Sequence, residues 1–259
     1  MISETTVLYA VAEGVATITL HRPEVFNAFN RQLHRDLMEA IRKAERDPAV
    51  RCVVLTGTGK AFCSGQDLKD VPLDRLEALA DIVRETYNPL ILKLRSLGKP
   101  VVAAVNGVAA GAGMSLALAC DMRVAVEGAR FVAAFARIGL VPDSGMTYFL
   151  PRLIGPARAA ELCMLGGEVD APTALSWGLV NAVASAEEFP AAVSSLAARL
   201  ADGPAIAIGL LKRALELSAT GTLEELLEYE AMAQQVAGSS PEASEGIAAF
   251  REKRKPNFR

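Results

Sequence analysis

Histidine is almost missing from this chain: His21 and His34 are its only two. His21 precedes Arg22-Pro23 at the end of an apolar run, His34 lies in a helical stretch, and neither has a partner motif. The sequence therefore argues against a Ser-His-Asp triad and against a zinc site. The four cysteines, Cys52, Cys63, Cys120 and Cys163, show no C-x-x-C spacing and sit in apolar stretches. Buried, reduced thiols are expected. Basic charge is not in excess either. A net charge of −3 argues against a nucleic-acid surface, so a phosphate-bearing ligand would need a local basic patch. No apolar run has the length of a membrane span, and Met1-Ile2-Ser3-Glu4 offers no basic region leading into an apolar core. The expectation is a cytoplasmic protein with no signal peptide and no membrane partner.

What is present is ample core. Hydrophobic residues make up 51% and charged residues 22% of 259 positions, enough for one large domain or a domain with an appendage. Val7–Ala12 and Val15–Leu20 alternate around Glu13-Gly14 and predict a β-hairpin. Asn30 can cap a helix running to about Arg46. A strand is expected at Cys52–Thr56, and a helix from Asp74 to Arg95 bent before Pro89. Further strands are read at Val101–Val105, Met122–Val126 and Leu179–Val183, with helices at Ala157–Leu165 and Pro172–Trp177. From about Glu187 the signals are helical only, including a capping box at Thr222-Leu223-Glu224-Glu225 and a helix opened by Ser240-Pro241. A composition shift near residue 195 divides a strand-rich core, 1–195, from a helical region, 196–259. The leucines of that region suit either oligomer contact or packing back on the core.

The chain is organised around Gly98 to Asp121. Val101–Val105 reads as a buried strand, the small residues from Ala112 as a helix, and Gly107, Gly111 and Gly113 lie between them. A helix that starts at a glycine bend offers unpaired N–H groups and the positive end of its dipole, a place for an oxygen that becomes an anion. Glycines kept for packing alone would give the same pattern. Neither a P-loop nor G-x-G-x-x-G spacing is present. A second stretch has the same design, however: a strand to Thr56, then Gly57, Gly59 and Ala61-Phe62-Cys63-Ser64-Gly65-Gln66-Asp67-Leu68. Two strand-then-glycine units can each present one N–H to a single carbonyl oxygen, which is what an oxyanion hole requires.

Ala61 to Leu68, Ala104-Val105-Asn106-Gly107 with its glycine-rich sequel, and Cys120-Asp121 together resemble the enoyl-CoA hydratase/isomerase (crotonase) superfamily, from about Val7 to Arg259. The resemblance implies an α/β fold, a spiral of repeated ββα turns with a C-terminal helical trimerisation region. It also implies an acyl-CoA substrate, with no cofactor beyond the CoA that the substrate carries and no metal. Trimers, usually paired into hexamers, are implied as well. By register the two oxyanion donors are the backbone N–H groups of Gln66 and Ala112. Contacts to CoA or substrate are implied for Arg22, Val25, Ser64, Gly65, Asp67, Leu68 and Gly111. Phe250 and Lys253 would reach the CoA of a neighbouring subunit, although Phe250 to Lys255 reads equally as a solvated charged end.

Family hydratases use two glutamates, and here those positions carry Ser115 and Phe135, neither of which can act as a general base near neutral pH. The remaining acid is Asp143. Read locally, Val141-Pro142-Asp143-Ser144-Gly145 is a turn that favours Asp. Read with the resemblance, Asp143 holds the position of a proton-shuttling carboxylate in several isomerases. Gly139 to Gly145, Val108 to Gly113 and Lys255-Pro256-Asn257-Phe258 look most like the ring-1,2-epoxyphenylacetyl-CoA isomerase branch. The expectation is a CoA-thioester isomerase. The alternatives are double-bond isomerisation or hydration of enoyl-CoA, and a catalytically silent CoA-binding scaffold.

Overall fold

The structure is a computed structural model that describes residues 5–70 and 79–259. Its strands are β1 (Val7–Ala12), β2 (Val15–Leu20), β3 (Cys52–Gly57), β4 (Ala61–Cys63), β5 (Val101–Val105), β6 (Val108–Ala110), β7 (Met122–Val126), β8 (Arg130–Val132), β9 (Glu168–Asp170) and β10 (Ala182–Ala184). The hairpin β1–β2 forms as expected. Glu13 and Gly14 both take positive φ, 50° and 79°, a twist that matches the flanking strands. β2 then pairs in parallel with β3, and the large sheet continues in the order β1-β2-β3-β5-β7-β10. β3 and β5 open as apolar runs because both of their faces are covered, and β7 departs from that pattern only at the buried Arg123.

A second sheet, β4-β6-β8-β9, runs alongside. Each of β3, β5 and β7 leads through a short turn into its neighbour in the small sheet, β4, β6 and β8. Helical chain follows each pair, so one ββα turn is repeated three times and the fold is the expected spiral. One face of the large sheet meets the main core, with Leu33, Leu37 and Ile41 of helix Arg31–Arg46 fully buried in it. The other face, through Cys52, Val54, Val102, Ala104 and Val124, meets Ala197 and Ala201 of helix Phe189–Ala201. Residue 195 lies inside that helix, and the chain leaves the sheet only at Asp202.

The capping signals hold. Asn30 accepts from the Leu33 N–H, the Thr222–Glu225 box closes in both directions, and Ser240 accepts from Ala243.

Other expectations need correction. The strands of the small sheet are only three residues long and left little alternation to read. The final strand is β10, not Leu179–Val183. The Leu179 and Val180 N–H groups turn back to the Ala174 carbonyl, so the start of that apolar run closes a helix. Residues 74–78 of the helix expected at Asp74–Arg95 lie outside the described residues. The rest is Leu79–Ile82, a π-helical turn at Val83–Tyr87, and Asn88–Ser96. Pro89 has no N–H to donate, and the widened turn before it absorbs the mismatch. Cys52, Cys63 and Cys120 are buried, and burial pushes their thiols up to about 12; Cys163 is only half-buried.

Candidate active site

The two strand-then-glycine units meet along their backbones. Asn106 joins them: its Oδ1 accepts from the Gly57 N–H at 3.1 Å, and its Nδ2 donates to the Gly59 carbonyl at 3.0 Å. Gly113 lies so close to Cys63 that a Cβ there would collide with the Cys63 carbonyl oxygen. Gly65, at φ 98°, packs against the bend at Ala110–Ala112, with its would-be Cβ 3.4 Å from the Ala112 nitrogen. Gln66 is therefore one residue from contact with Ala112.

The local backbone leaves both N–H groups without a partner among the described residues. Phe29 exchanges hydrogen bonds with the Gly65 carbonyl and the Asp67 N–H, at 2.7 and 2.9 Å. In an extended bridge of this kind the Gln66 N–H points away from Phe29. Ala112 is the first residue of helix Ala112–Ala119, where an N–H has no intrahelical acceptor. Among the described residues neither N–H has a hydrogen-bond partner. The Gln66 side chain is held too. Its Nε2 donates to the Phe29 carbonyl at 3.1 Å, and its Oε1 accepts from the buried Tyr87 hydroxyl at 2.7 Å.

Asp143 stands at the entry to helix Met146–Ile154. Its peptide carbonyl accepts from the Ser115 hydroxyl at 3.0 Å and from the Met146 N–H at 3.0 Å. Its Oδ1 accepts from the Ser144 hydroxyl at 2.8 Å, and Ser144 adopts φ 53°, uncommon for a non-glycine residue. Burial raises the Asp143 pKa above the usual carboxylate value, and the Ser144 hydrogen bond offsets part of that rise. The Asp143 charge in turn helps to raise the Tyr87 phenol, after burial and Cys63. The carboxylate is thus felt at Tyr87, whose hydroxyl donates to the Gln66 side chain. Ser115 is fully buried, and the buried Phe135 ring lies 3.9 Å from where a Gly111 Cβ would be. An aromatic wall and a hydroxyl occupy the two positions at which the sequence pointed to missing glutamates.

The other expected residues divide into two groups. Arg22, Val25, Ser64 and Asp67 come together at the mouth of the first unit. The Arg22 guanidinium pairs with Asp67 at 3.1 Å and donates to the Ala28 carbonyl at 2.6 Å. Ser64 donates its hydroxyl to the Val25 carbonyl at 3.2 Å. Leu68 is exposed beside them. Asn27 is a buried turn residue. It takes φ 58° and donates to the Ala61 carbonyl at 2.8 Å. Phe250 and Lys253 lie apart, exposed at the end of helix Pro241–Glu252. Met114 and Met146 are fully buried in the core.

Sequence reasoning missed Tyr87, the use of Asn106 as a clamp, and the bond from Ser115 to Asp143. Each is a contact between segments far apart in the chain, which no local pattern signals. A cavity of about 1500 Å³ lies between helix Arg31–Arg46 and Asp81–Pro89, lined in part by His34, Met38, Gln66, Ile82 and Thr86. It touches the site through Gln66, and neither Ala112 nor Asp143 lines it.

The ββα spiral brings two backbone N–H groups, without partners among the described residues, into adjoining segments, and Ser115 ties Asp143 to the helix that carries one of them. The chain belongs to the enoyl-CoA hydratase/isomerase family, whose model matches residues 10–259. It is 44% identical over 255 residues to the 1,2-epoxyphenylacetyl-CoA isomerase of Escherichia coli K12, covering 97% of each chain. It is 33% identical over 248 residues to the crotonyl-CoA hydratase of Syntrophomonas wolfei, covering 95% of each. A solved enoyl-CoA hydratase from Polaromonas sp. JS666 superposes with a TM-score of 0.92 at 35% identity, covering 98% of this chain and 99% of the other. The chain is accordingly an enzyme of CoA thioesters.

Proposed function

We propose that this enzyme isomerises acyl-CoA thioesters, and that its substrate is a ring-1,2-epoxyphenylacetyl-CoA converted to the oxepin isomer. The observation that carries the reading is the composition of the site. The chain offers one carboxylate of raised pKa, Asp143, and two backbone N–H groups without partners among the described residues, while Ser115 and Phe135 fill the hydratase positions without a carboxylate. The 44% identity to an enzyme of that name supports the choice of acyl group.

The thioester oxygen sits between the Gln66 and Ala112 N–H groups, and the start of helix Ala112–Ala119 adds its dipole. For a 3-enoyl-CoA, the Asp143 carboxylate takes a proton from the carbon next to the carbonyl. Electron density moves onto the thioester oxygen, and the same proton returns two carbons further along the conjugated enolate. For the epoxide the same groups assist ring opening. In both cases the product has the formula of the substrate, and only groups of the chain and the substrate take part. Arg22, Val25, Ser64, Gly65, Asp67, Leu68 and Gly111 border the bound thioester in this reading.

Active protein is a homotrimer or a dimer of trimers. Leu211, Leu215, Leu223 and Leu227, all more than half exposed, supply the apolar surface for it. Phe250 and Lys253 then meet the CoA held by a neighbouring subunit, which suits their exposure. Among the described residues no single helix is long and apolar enough to cross a membrane. A cytoplasmic location suits the substrate class.

Turnover assays by mass spectrometry on the epoxide and on a 3-enoyl-CoA test the reading. Rapid conversion of the epoxide to an isobaric product supports it in full. Conversion of the 3-enoyl-CoA alone assigns a double-bond isomerase, and turnover of neither overturns the isomerase reading.

A further inference from the structure

Ser115 is the only polar side chain in helix Ala112–Ala119, which is otherwise Ala, Gly, Met and Leu and buried throughout. A fully buried hydroxyl in such a helix packs no better than a methyl group and must find a partner. It has two within reach, the Gly111 carbonyl at 3.3 Å and the Asp143 carbonyl at 3.0 Å. The Gly111 carbonyl already accepts the Ser115 N–H at 3.0 Å, as in any helix. The distinctive bond is the one to Asp143, across 28 positions of sequence.

That bond falls where the chain most needs one. The approach to Asp143 is exposed, with Ile138 at 52% and Val141 at 79%. After Asp143 the backbone turns through two positive φ angles, at Ser144 and Gly145. The carboxylate itself accepts only from its neighbour Ser144 among the described residues. Ser115 lies one turn along the helix whose first N–H belongs to Ala112. Its hydroxyl ties the peptide unit of the proton shuttle to the element that supplies an oxyanion donor.

We infer that Ser115 is a positioning residue, which fixes the Asp143 carboxylate relative to the oxyanion hole by holding the Asp143 peptide carbonyl. The inference rests on the isomerase reading, because it gives Asp143 the proton transfer. A misplacement of about 1 Å in a reacting group costs roughly 10²-fold in rate, whereas binding of the thioester elsewhere is untouched. Losing the tether also lets the carboxylate reach water, so the part of its raised pKa due to burial relaxes downward.

Ser115→Ala and Ser115→Cys, Asp143→Asn, and the double variant of Ser115→Ala with Asp143→Asn test this in the full-length enzyme. The readouts are isomerisation of a 3-enoyl-CoA across pH and thermal melting. Ser115→Ala is expected to lower kcat about 10- to 100-fold with KM within about twofold of the parent. The acid limb of its kcat/KM profile moves to lower pH, and its loss largely disappears in the Asp143→Asn background. A serine that merely packs would lower the melting temperature, leave the acid limb in place and add its loss to that of Asp143→Asn. Should Ser115→Ala not fold, Ser115→Cys, which keeps the volume and a weak donor, is read the same way with a smaller loss. Wild-type kcat and an unmoved acid limb in the folded serine variants, with Asp143→Asn inactive, overturn the role of Ser115 alone. Full activity of Asp143→Asn overturns the functional reading and this role with it.

Discussion

Asp143 has opposite consequences for activity and for stability. Its folded-state pKa is raised, so burial penalises the charged form that catalysis needs. The stabilising contribution of this group is full below its unfolded value, and it is lost as pH rises through the folded one. Asp143→Asn removes that penalty, and its melting temperature at pH 7 is expected to equal or exceed that of the parent. His34 acts on stability the other way. It is stacked on Phe29 at 4.6 Å and meets the edge of Tyr87 at 4.3 Å, and neither ring nitrogen has a partner among the described residues. Burial lowers its pKa to about 4. Between that value and an unfolded value near 6.5 the unfolded chain binds the extra proton, so stability falls as pH drops across the window. Melting curves from pH 7 to 4 check this, and His34→Phe is expected to flatten the slope. At this scale glycine bends and a turn motif marked the stretches that hold Gln66, Ala112 and Asp143, and the resemblance supplied the roles expected of them. It did not expose Tyr87 or the tether from Ser115, because their meaning lies in partners 21 and 28 positions away.

Among the elements, helix Ala112–Ala119 carries most of the proposed chemistry. Ala112→Pro removes one donor at a first-turn position that tolerates proline, and kcat is expected to fall on the order of 10²–10³ while the protein stays folded. Unimpaired turnover in a folded variant would show that the Ala112 N–H holds no oxyanion. Gly113→Ala tests packing instead. The new Cβ meets the backbone carbonyl and Cβ of Cys63, none of which a side-chain rotation can move aside. A cost of about 1–3 kcal/mol follows, visible as a drop of several degrees in melting temperature. Long elements with caps were legible: the β1–β2 hairpin, helix Arg31–Arg46 after Asn30, and the Thr222–Glu225 box all stand where the residues put them. The small sheet was not, since three-residue strands owe their form to neighbours rather than to their own alternation. At Leu179 an apolar run was taken by a helix end before it could pair as a strand.

At the scale of the whole molecule, the exposed apolar residues of the C-terminal helices predict association. Light scattering is expected to give three or six times the 27.4 kDa chain mass. Removing residues 250–259 is expected to raise KM for acyl-CoA with a smaller effect on kcat, since the proposed role of Phe250 and Lys253 is binding and not proton transfer. A truncated enzyme with an unchanged KM would contradict that contact. The spiral came to the sequence reading through motif resemblance, because no pattern of hydrophobicity specifies how ββα turns stack. The central claim is that this site moves a proton through Asp143 and does not add water. The most direct measurement follows a 3-enoyl-CoA and crotonyl-CoA by mass spectrometry, with the parent enzyme and with Asp143→Asn. The parent is expected to give an isobaric product from the 3-enoyl-CoA and no hydrate of crotonyl-CoA, and Asp143→Asn a rate lower by about 10²–10⁴ at similar KM. Efficient gain of water by crotonyl-CoA, together with full isomerisation by Asp143→Asn, would contradict that claim.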